Sequence, residues 1–244
     1  RESRRFLKVW SQTLAAPAVT TILFMIIFSL ALGGKGREVA GMPFANFLAP
    51  GLIVMAMLQN AFANTSSSIL IAKVQGNIVD TLMPPLSATE LTFGFLAGGM
   101  TRGLFVGVFV CGAFFLMPGV SLAVSHIWAV IYFAFSATAM LALLGILTGV
   151  WADKFDHSAA VTNFVVAPLS LLSGTFYSIE RLDPAWQAFS KANPFFYIIA
   201  GFRYGFIDRA DSDLMVGVIY IFAVNLMLGF MVYRVFKTGY RLKP

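Results

Sequence analysis

Residues able to do acid–base, nucleophilic or metal chemistry are few in this sequence and far apart. There are two histidines, His126 and His157, one cysteine, Cys111, and eleven carboxylates. The histidines fall near opposite ends of one long apolar stretch, so they cannot readily share a site. No Cys/His spacing suits a metal ion. Cys111 lies inside an apolar run and has no partner for an intrachain disulfide. Gly34-Lys35-Gly36 lacks the rest of a G-x-x-x-x-G-K-[ST] phosphate loop, and neither a G-x-S-x-G elbow nor an H-E-x-x-H helix occurs. The chain therefore reads as non-catalytic, with no metal and no cofactor of its own.

Four features remain that could do work. Asn60, Asn64, Ser67 and Ser68 form a polar stripe at helical spacing inside an apolar run. Such a stripe either lines a substrate path or glues helices together, and both readings are open. Gly99, Gly103 and Gly107 recur every four residues, with Gly94 and Gly98 as a second small-xxx-small pair, and glycines at this spacing let a second helix approach closely. Arg102 stands among them. A full charge in hydrocarbon costs at least about 2.5 kcal/mol, so it must face a groove or partner, or snorkel to the nearer surface, the reading the sequence favours. Finally, Asn77-Ile78-Val79-Asp80-Thr81-Leu82-Met83 reads as one short helix stopped by Pro84-Pro85. Its apolar members in an otherwise wet loop suggest a docking surface, or a segment resting on the membrane.

The elements that must hold these residues follow from composition. Hydrophobic residues make up 59% of the chain and charged ones 11%; soluble domains are nearer about 45–50% and 25%. Lipid must therefore be the solvent for most of the surface. Apolar runs at Leu14–Gly33, Phe44–Ile71, Leu91–Met117, Leu122–Ala152, Ser158–Phe176 and Leu214–Val235 are each long enough for a hydrocarbon core of about 30 Å. The expected fold is all-α, a polytopic membrane protein with six transmembrane helices, and Pro50 and Pro168 should kink two of them. With both termini inside, eleven of the 17 Lys and Arg residues are cytoplasmic, Arg102 included. The positive-inside rule thus places both termini in the cytoplasm. The basic residues flank apolar segments rather than forming a soluble patch, so nucleic acid is not an expected partner.

Two connections are more than turns. Residues 72–88 face the cytoplasm, and residues 177–213 face outward. The outer segment holds Asn193-Pro194-Phe195-Phe196 and an apolar run too short to span. It reads as two re-entrant helices or, alternatively, as a structured external loop. In front of the first span, Phe6, Trp10 and Leu14 share one face of a basic amphipathic segment, residues 1–14, suited to the membrane interface.

Three stretches carry a family resemblance: Gln75-Gly76-Asn77-Ile78-Val79-Asp80-Thr81-Leu82-Met83-Pro84-Pro85; Gly98-Gly99-Met100-Thr101-Arg102-Gly103; and Pro168 to Ser178 together with Asn193-Pro194 and Gly201-Phe202-Arg203-Tyr204-Gly205. The sequence resembles the permease subunits of ABC-2 type transporters, in particular the bacterial inner-membrane permeases related to nodulation-factor and drug exporters. The likeness covers nearly the whole chain, residues 1–244, as one transmembrane domain. It implies a permease that pairs with a second copy of itself and with two copies of a cytoplasmic ABC ATPase, which would bind the ATP and Mg. It further implies that Asn77 to Met83 couple to the ATPase, that Phe6, Trp10 and Leu14 belong to an interface helix, and that re-entrant helices lie between spans five and six.

The resulting expectation is a permease subunit of an ATP-driven exporter in the bacterial inner membrane, moving an amphipathic or hydrophobic substrate such as a drug, lipid or lipid-linked saccharide. A self-contained secondary transporter or channel is the alternative. That class should show inverted repeats and paired intramembrane carboxylates, and no Asp or Glu lies mid-span.

Overall fold

The computed structural model describes residues 14–33, 38–39, 41–82, 85–177, 179, 182–208 and 212–242. Phe6 and Trp10 of the expected interface helix, and Met83, lie outside them. Most of the described residues are helical, and two strands of two residues each, β1 (Glu38–Val39) and β2 (Met42–Pro43), pair antiparallel across the turn at Gly41. In order, the helices are α1 (Ala16–Gly33), α2 (Phe44–Val74), α3 (Ile78–Leu82), α4 (Ala88–Phe115), α5 (Ile127–Trp151), α6 (Phe155–Val161), α7 (Ala167–Leu171), α8 (Pro184–Ala192), α9 (Pro194–Ile207) and α10 (Leu214–Thr238).

Helix ends are set by local chemistry. Ser87 opens α4 with a capping box: its hydroxyl accepts from the Glu90 amide, and the Glu90 carboxylate accepts from the Ser87 amide at 2.7 Å. Asp213 caps α10 by accepting from the Met215 and Val216 amides, and Gly239 ends it at φ 68°. Asn193 accepts from the Phe195 amide at the start of α9, where Pro194 takes a position that needs no donor.

Among the described residues four helices, α2, α4, α5 and α10, are long and apolar enough to cross a membrane. The other two expected spans are shorter. α1 has 18 residues, about 27 Å at 1.5 Å per residue. The run expected at Ser158–Phe176 begins earlier, at Phe155, and ends earlier, at Leu171. It is interrupted by a π-helical turn at Thr162–Val166, where Thr162 and Val166 bracket one wider turn between α6 and α7.

The core is built around α2, in which 22 of 31 residues are buried, whereas α10 buries only Gly217, Ile221, Val232 and Phe236. α2 is thus encased by its neighbours, and α10 presents Met215, Ile219, Phe222, Leu226 and Phe230 outward. An apolar face of that extent needs a lipid solvent. α2, α4 and α5 approach closely at glycines. A Cβ on Gly99 would lie 2.6 Å from Thr65 and 2.8 Å from Ala142, and one on Gly103 would lie 2.7 Å from Thr138 and 3.0 Å from the Met57 carbonyl. One on Gly107 would meet Met57 at 2.6 Å. Gly94, expected to extend this groove, instead faces open space. Leu91 and Thr92 of the same turns are buried while Phe93 and Gly94 are exposed, so Gly94 lies on the outward side of α4.

Candidate coupling segment and polar seam

At one end of the bundle α2 stops at Val74, and Gly76 (φ 74°) turns the chain into α3. A left-handed backbone there suits glycine and breaks the helix. The expected seven-residue helix is five residues long, Ile78–Leu82, with Asn77 ahead of it. Its apolar members do not all face outward as expected. Ile78 is only 7% exposed and packs with Ile69, Leu91, Val150, Phe236 and Leu242, because a five-residue helix beside an apolar cluster gains most by burying its nearest aliphatic. Val79, at 46%, and Asp80 remain exposed.

The same end carries a knot of charge that sequence reading missed. Lys73, in the last turn of α2, donates from Nζ to the carbonyls of Val150 (2.7 Å) and Ala152 (2.8 Å), and to Asp153 Oδ1 (3.3 Å). Arg241 donates to the Trp151 carbonyl at 2.8 Å. Carbonyls in the last turn of a helix have no intrahelical donor, and cations suit that end of the dipole. The Lys73 ammonium, by its hydrogen bond first and its charge second, holds the Asp153 carboxyl below the usual carboxylate range. The Asp153 arm of the contact is therefore weakened as the medium acidifies through that lowered value, while the two carbonyl bonds are not titrated.

The polar stripe splits between roles. Asn60 Oδ1 accepts from Arg102 Nη2 at 3.2 Å, and Asn60 Nδ2 donates to the Ala56 carbonyl. Arg102 is half-buried, so its charge is held at the seam between α4 and α2, where a polar acceptor meets it, instead of being drawn to the surface as expected. Asn64 is 2% exposed, Ser68 is buried, and Ser67 donates to the Asn64 carbonyl. Thr65, absent from the expected stripe, donates across the interface to the Ala142 carbonyl of α5 at 2.9 Å. A cleft of about 250 Å³ opens between α1 and α2, with Thr20, Thr21, Gln59 and Asn60 among its lining residues. Of the four stripe residues, Asn60 is the one that reaches it.

At the opposite end, α8 and α9 occupy the segment expected to be re-entrant. α9 is buried along most of its length against α2, α5 and α10. Gly201 lies under the Phe133 ring and Gly205 against Val130, closer than any Cβ would permit. The Gly205 carbonyl accepts from the Ser125 and His126 amides at 2.9 and 3.0 Å. His126 also pairs with Asp208 at 2.6 Å and stacks on Tyr204. Arg203, 2% exposed, stacks 3.8 Å over Phe47 and donates to the Gly174 carbonyl at 2.8 Å, so α9 is tied to α2 and to the turn after α7. His157 sits at the other end of α5, as the spacing of the two histidines suggests, and no cluster of three metal-ligating side chains occurs among the described residues.

The bundle thus has an encased α2 with a short helix hung from its end, and at the opposite end a buried α9 preceded by the mostly exposed α8. The model of the ABC-2 type transporter family matches residues 1–207. The chain belongs to the ABC-2 type transporter family. Its relatives include an inner membrane transport permease, YadH, of Escherichia coli K12, 39% identical over 232 residues, covering 93% of this chain and 89% of the relative. Nodulation protein J of Sinorhizobium fredii is 27% identical, covering 84% of this chain and 78% of the relative. Nodulation protein J of Rhizobium leguminosarum bv. viciae is 24% identical over 91% of this chain. The chain is thus an ABC-2 permease of several apolar helices, and its family is one of transport rather than catalysis.

Proposed function

We propose that this ABC-2 permease is the membrane half of an ATP-driven exporter of the bacterial inner membrane, six-spanning, with both termini cytoplasmic. It works as a homodimer bound to two ATPase subunits, which hold the ATP and Mg. The cargo is amphipathic or hydrophobic, and the cleft beside Asn60, lined by Thr20, Thr21, Gln59 and Asn60 as well as by Phe24, Leu52 and Met55, offers such a molecule both polar and apolar contacts. The observation that carries the reading is α3: Ile78 anchors it in the bundle while Val79 and Asp80 point away, a geometry suited to receiving force from a docked partner. Asn77, Thr81, Leu82 and Met83 complete that coupling segment, and Leu14, packed on the core, continues the interface helix of Phe6 and Trp10.

Two experiments test this. The purified chain should hydrolyse no ATP, and a complex with its cognate ATPase should hydrolyse it. Hydrolysis by the chain free of co-purifying ATPase would overturn the division of labour. Cysteines placed singly at Asp80, Lys154 and Lys237, in a Cys111→Ser background, should react only from the cytoplasm, and those at Lys35 and Lys191 only from outside. A site labelled from the wrong face would break the six-span orientation.

A further inference from the structure

The inner knot and the outer cluster are joined by one element. α5 receives Lys73 and Arg241 at its C-terminal end and holds α9 at its N-terminal end, through the Gly205 carbonyl and the His126–Asp208 pair. Between these ends it runs unbroken for 25 residues, about 37 Å at 1.5 Å per residue. It packs on α2 along the glycine contacts Gly145 and Gly149, which leave little room for sliding. A rigid helix clamped at both ends moves as a rod.

The coupling segment touches this rod in two ways. Ile78 shares its apolar cluster with Ile146 and Val150 of α5. Lys73, five residues before Ile78, is 14% exposed at its side chain and bridges the end of α2 to the Val150 and Ala152 carbonyls. The apolar contact can slip, because it has no preferred direction. The ammonium, held by two carbonyls and a carboxylate, fixes direction and distance.

We infer that Lys73 is a positioning residue that locks the end of α2, from which α3 hangs, to α5, so that a displacement of α3 on the inner side reaches α9 on the outer side. The inference rests on the ATP-driven reading above and deepens it. Loss of the ammonium should leave α3 in place through Ile78 but let it move without carrying α5. ATP hydrolysis would continue while the outer end stayed still.

The test uses the whole chain in complex with its ATPase, reconstituted in nanodiscs of Escherichia coli polar lipids, where both faces are open to added reagents. A cysteine replacing Ile207, at the outer end of α9, in a Cys111→Ser background, is probed with a membrane-impermeant maleimide, with and without ATP and vanadate. In the parent protein the labelling rate should change severalfold on trapping. With Lys73→Met that change should fall at least about tenfold while the amount of bound ATPase stays within about twofold, and Lys73→Arg should restore it. Lys154→Gln, which removes a neighbouring exposed charge with no place in the knot, should behave as the parent. If Lys73→Met accumulates poorly, Lys73→Gln, with a shorter neutral donor, carries the same comparison. A full labelling change in the Lys73 variant would overturn the role of Lys73. A parent complex that binds ATPase and hydrolyses ATP yet shows no change at Ile207 would overturn the rod. A parent that binds no ATPase would instead overturn the exporter reading itself.

Discussion

Gly145→Leu is expected to abolish accumulation of folded chain in the membrane. A Cβ at this position would fall on the Thr65 hydroxyl, which itself donates to Ala142, and lie 2.6 Å from the Phe62 carbonyl and 3.2 Å from its Cα. Two of those atoms are backbone, so no rotamer change relieves the clash, and α2 would have to separate from α5. Overpacking a tight interior costs about 1–3 kcal/mol, and more where the backbone must move; here we expect about 3 kcal/mol or more. The buried bond from Thr65 to Ala142, which crosses the α2–α5 interface, would be lost in the same event. The measurement is the monodisperse peak of a fluorescent fusion on size exclusion, expected to fall at least about fivefold. Gly94→Leu is the comparison, since nothing lies within 4 Å of its Cβ position and a leucine suits a helix better than glycine. Equal peaks and equal melting midpoints for the two variants would mean that α2 and α5 do not pack this closely.

Val79→Asp should break the complex with the ATPase without disturbing the bundle. Val79 is 46% exposed, so an unpaired aspartate there meets water in the free permease and is penalised only when a partner covers it. Desolvating such a charge costs several kcal/mol, enough for a loss of at least about tenfold in association and for transport to stop. Ile78→Asp is the informative contrast. Its side chain is 7% exposed, so the charge would enter the apolar cluster with Leu91 and Phe236, and folding should fail together with docking. Asp80→Ala separates two meanings of the exposed acid. If Asp80 pairs with a basic group of the ATPase, its loss should weaken coupling more than binding; if it is only solvated, little should change. Normal transport by Val79→Asp with the ATPase still bound would remove α3 from the coupling role.

How much of this was legible in the sequence depends on the range of each signal. Gly99, Gly103 and Gly107 repeat over three turns, and the structure seats all three against α2 or α5. Gly145 with Gly149, and Gly201 with Gly205, show the same spacing over a single step, which by itself does not stand out in a glycine-containing span, yet they make equally close contacts. Hydropathy located the long helices to within a few residues, but it cannot register the wider turn at Thr162–Val166. That turn changes the hydrogen-bond pattern, not the composition. Ile78 misled because a helix of five residues has too few turns to reveal which side faces in. Lys73 could not be read at all. Its acceptors lie nearly 80 positions away, and a lysine after an apolar run has the ordinary look of a cytoplasmic flank.

The encasement of α2 has a consequence for how the protein is made. α2 leaves the ribosome before either α4 or α5 exists, yet its stretch from Gln59 to Ser68 is rich in polar residues and, in the finished bundle, mostly buried. Newly inserted, that stretch faces acyl chains with its amides and hydroxyls paired only along its own helix, and partition into lipid disfavours such side chains. The flanking aliphatics, Leu48 to Leu58 on one side and Ile69 to Ile71 on the other, must hold the segment in place until later helices arrive. Biogenesis of this permease is therefore governed by waiting time. The interval between synthesis of Val74 and of Trp151 is one in which α2 is least protected, and the insertion machinery or an early lateral neighbour such as α1 has to shelter it.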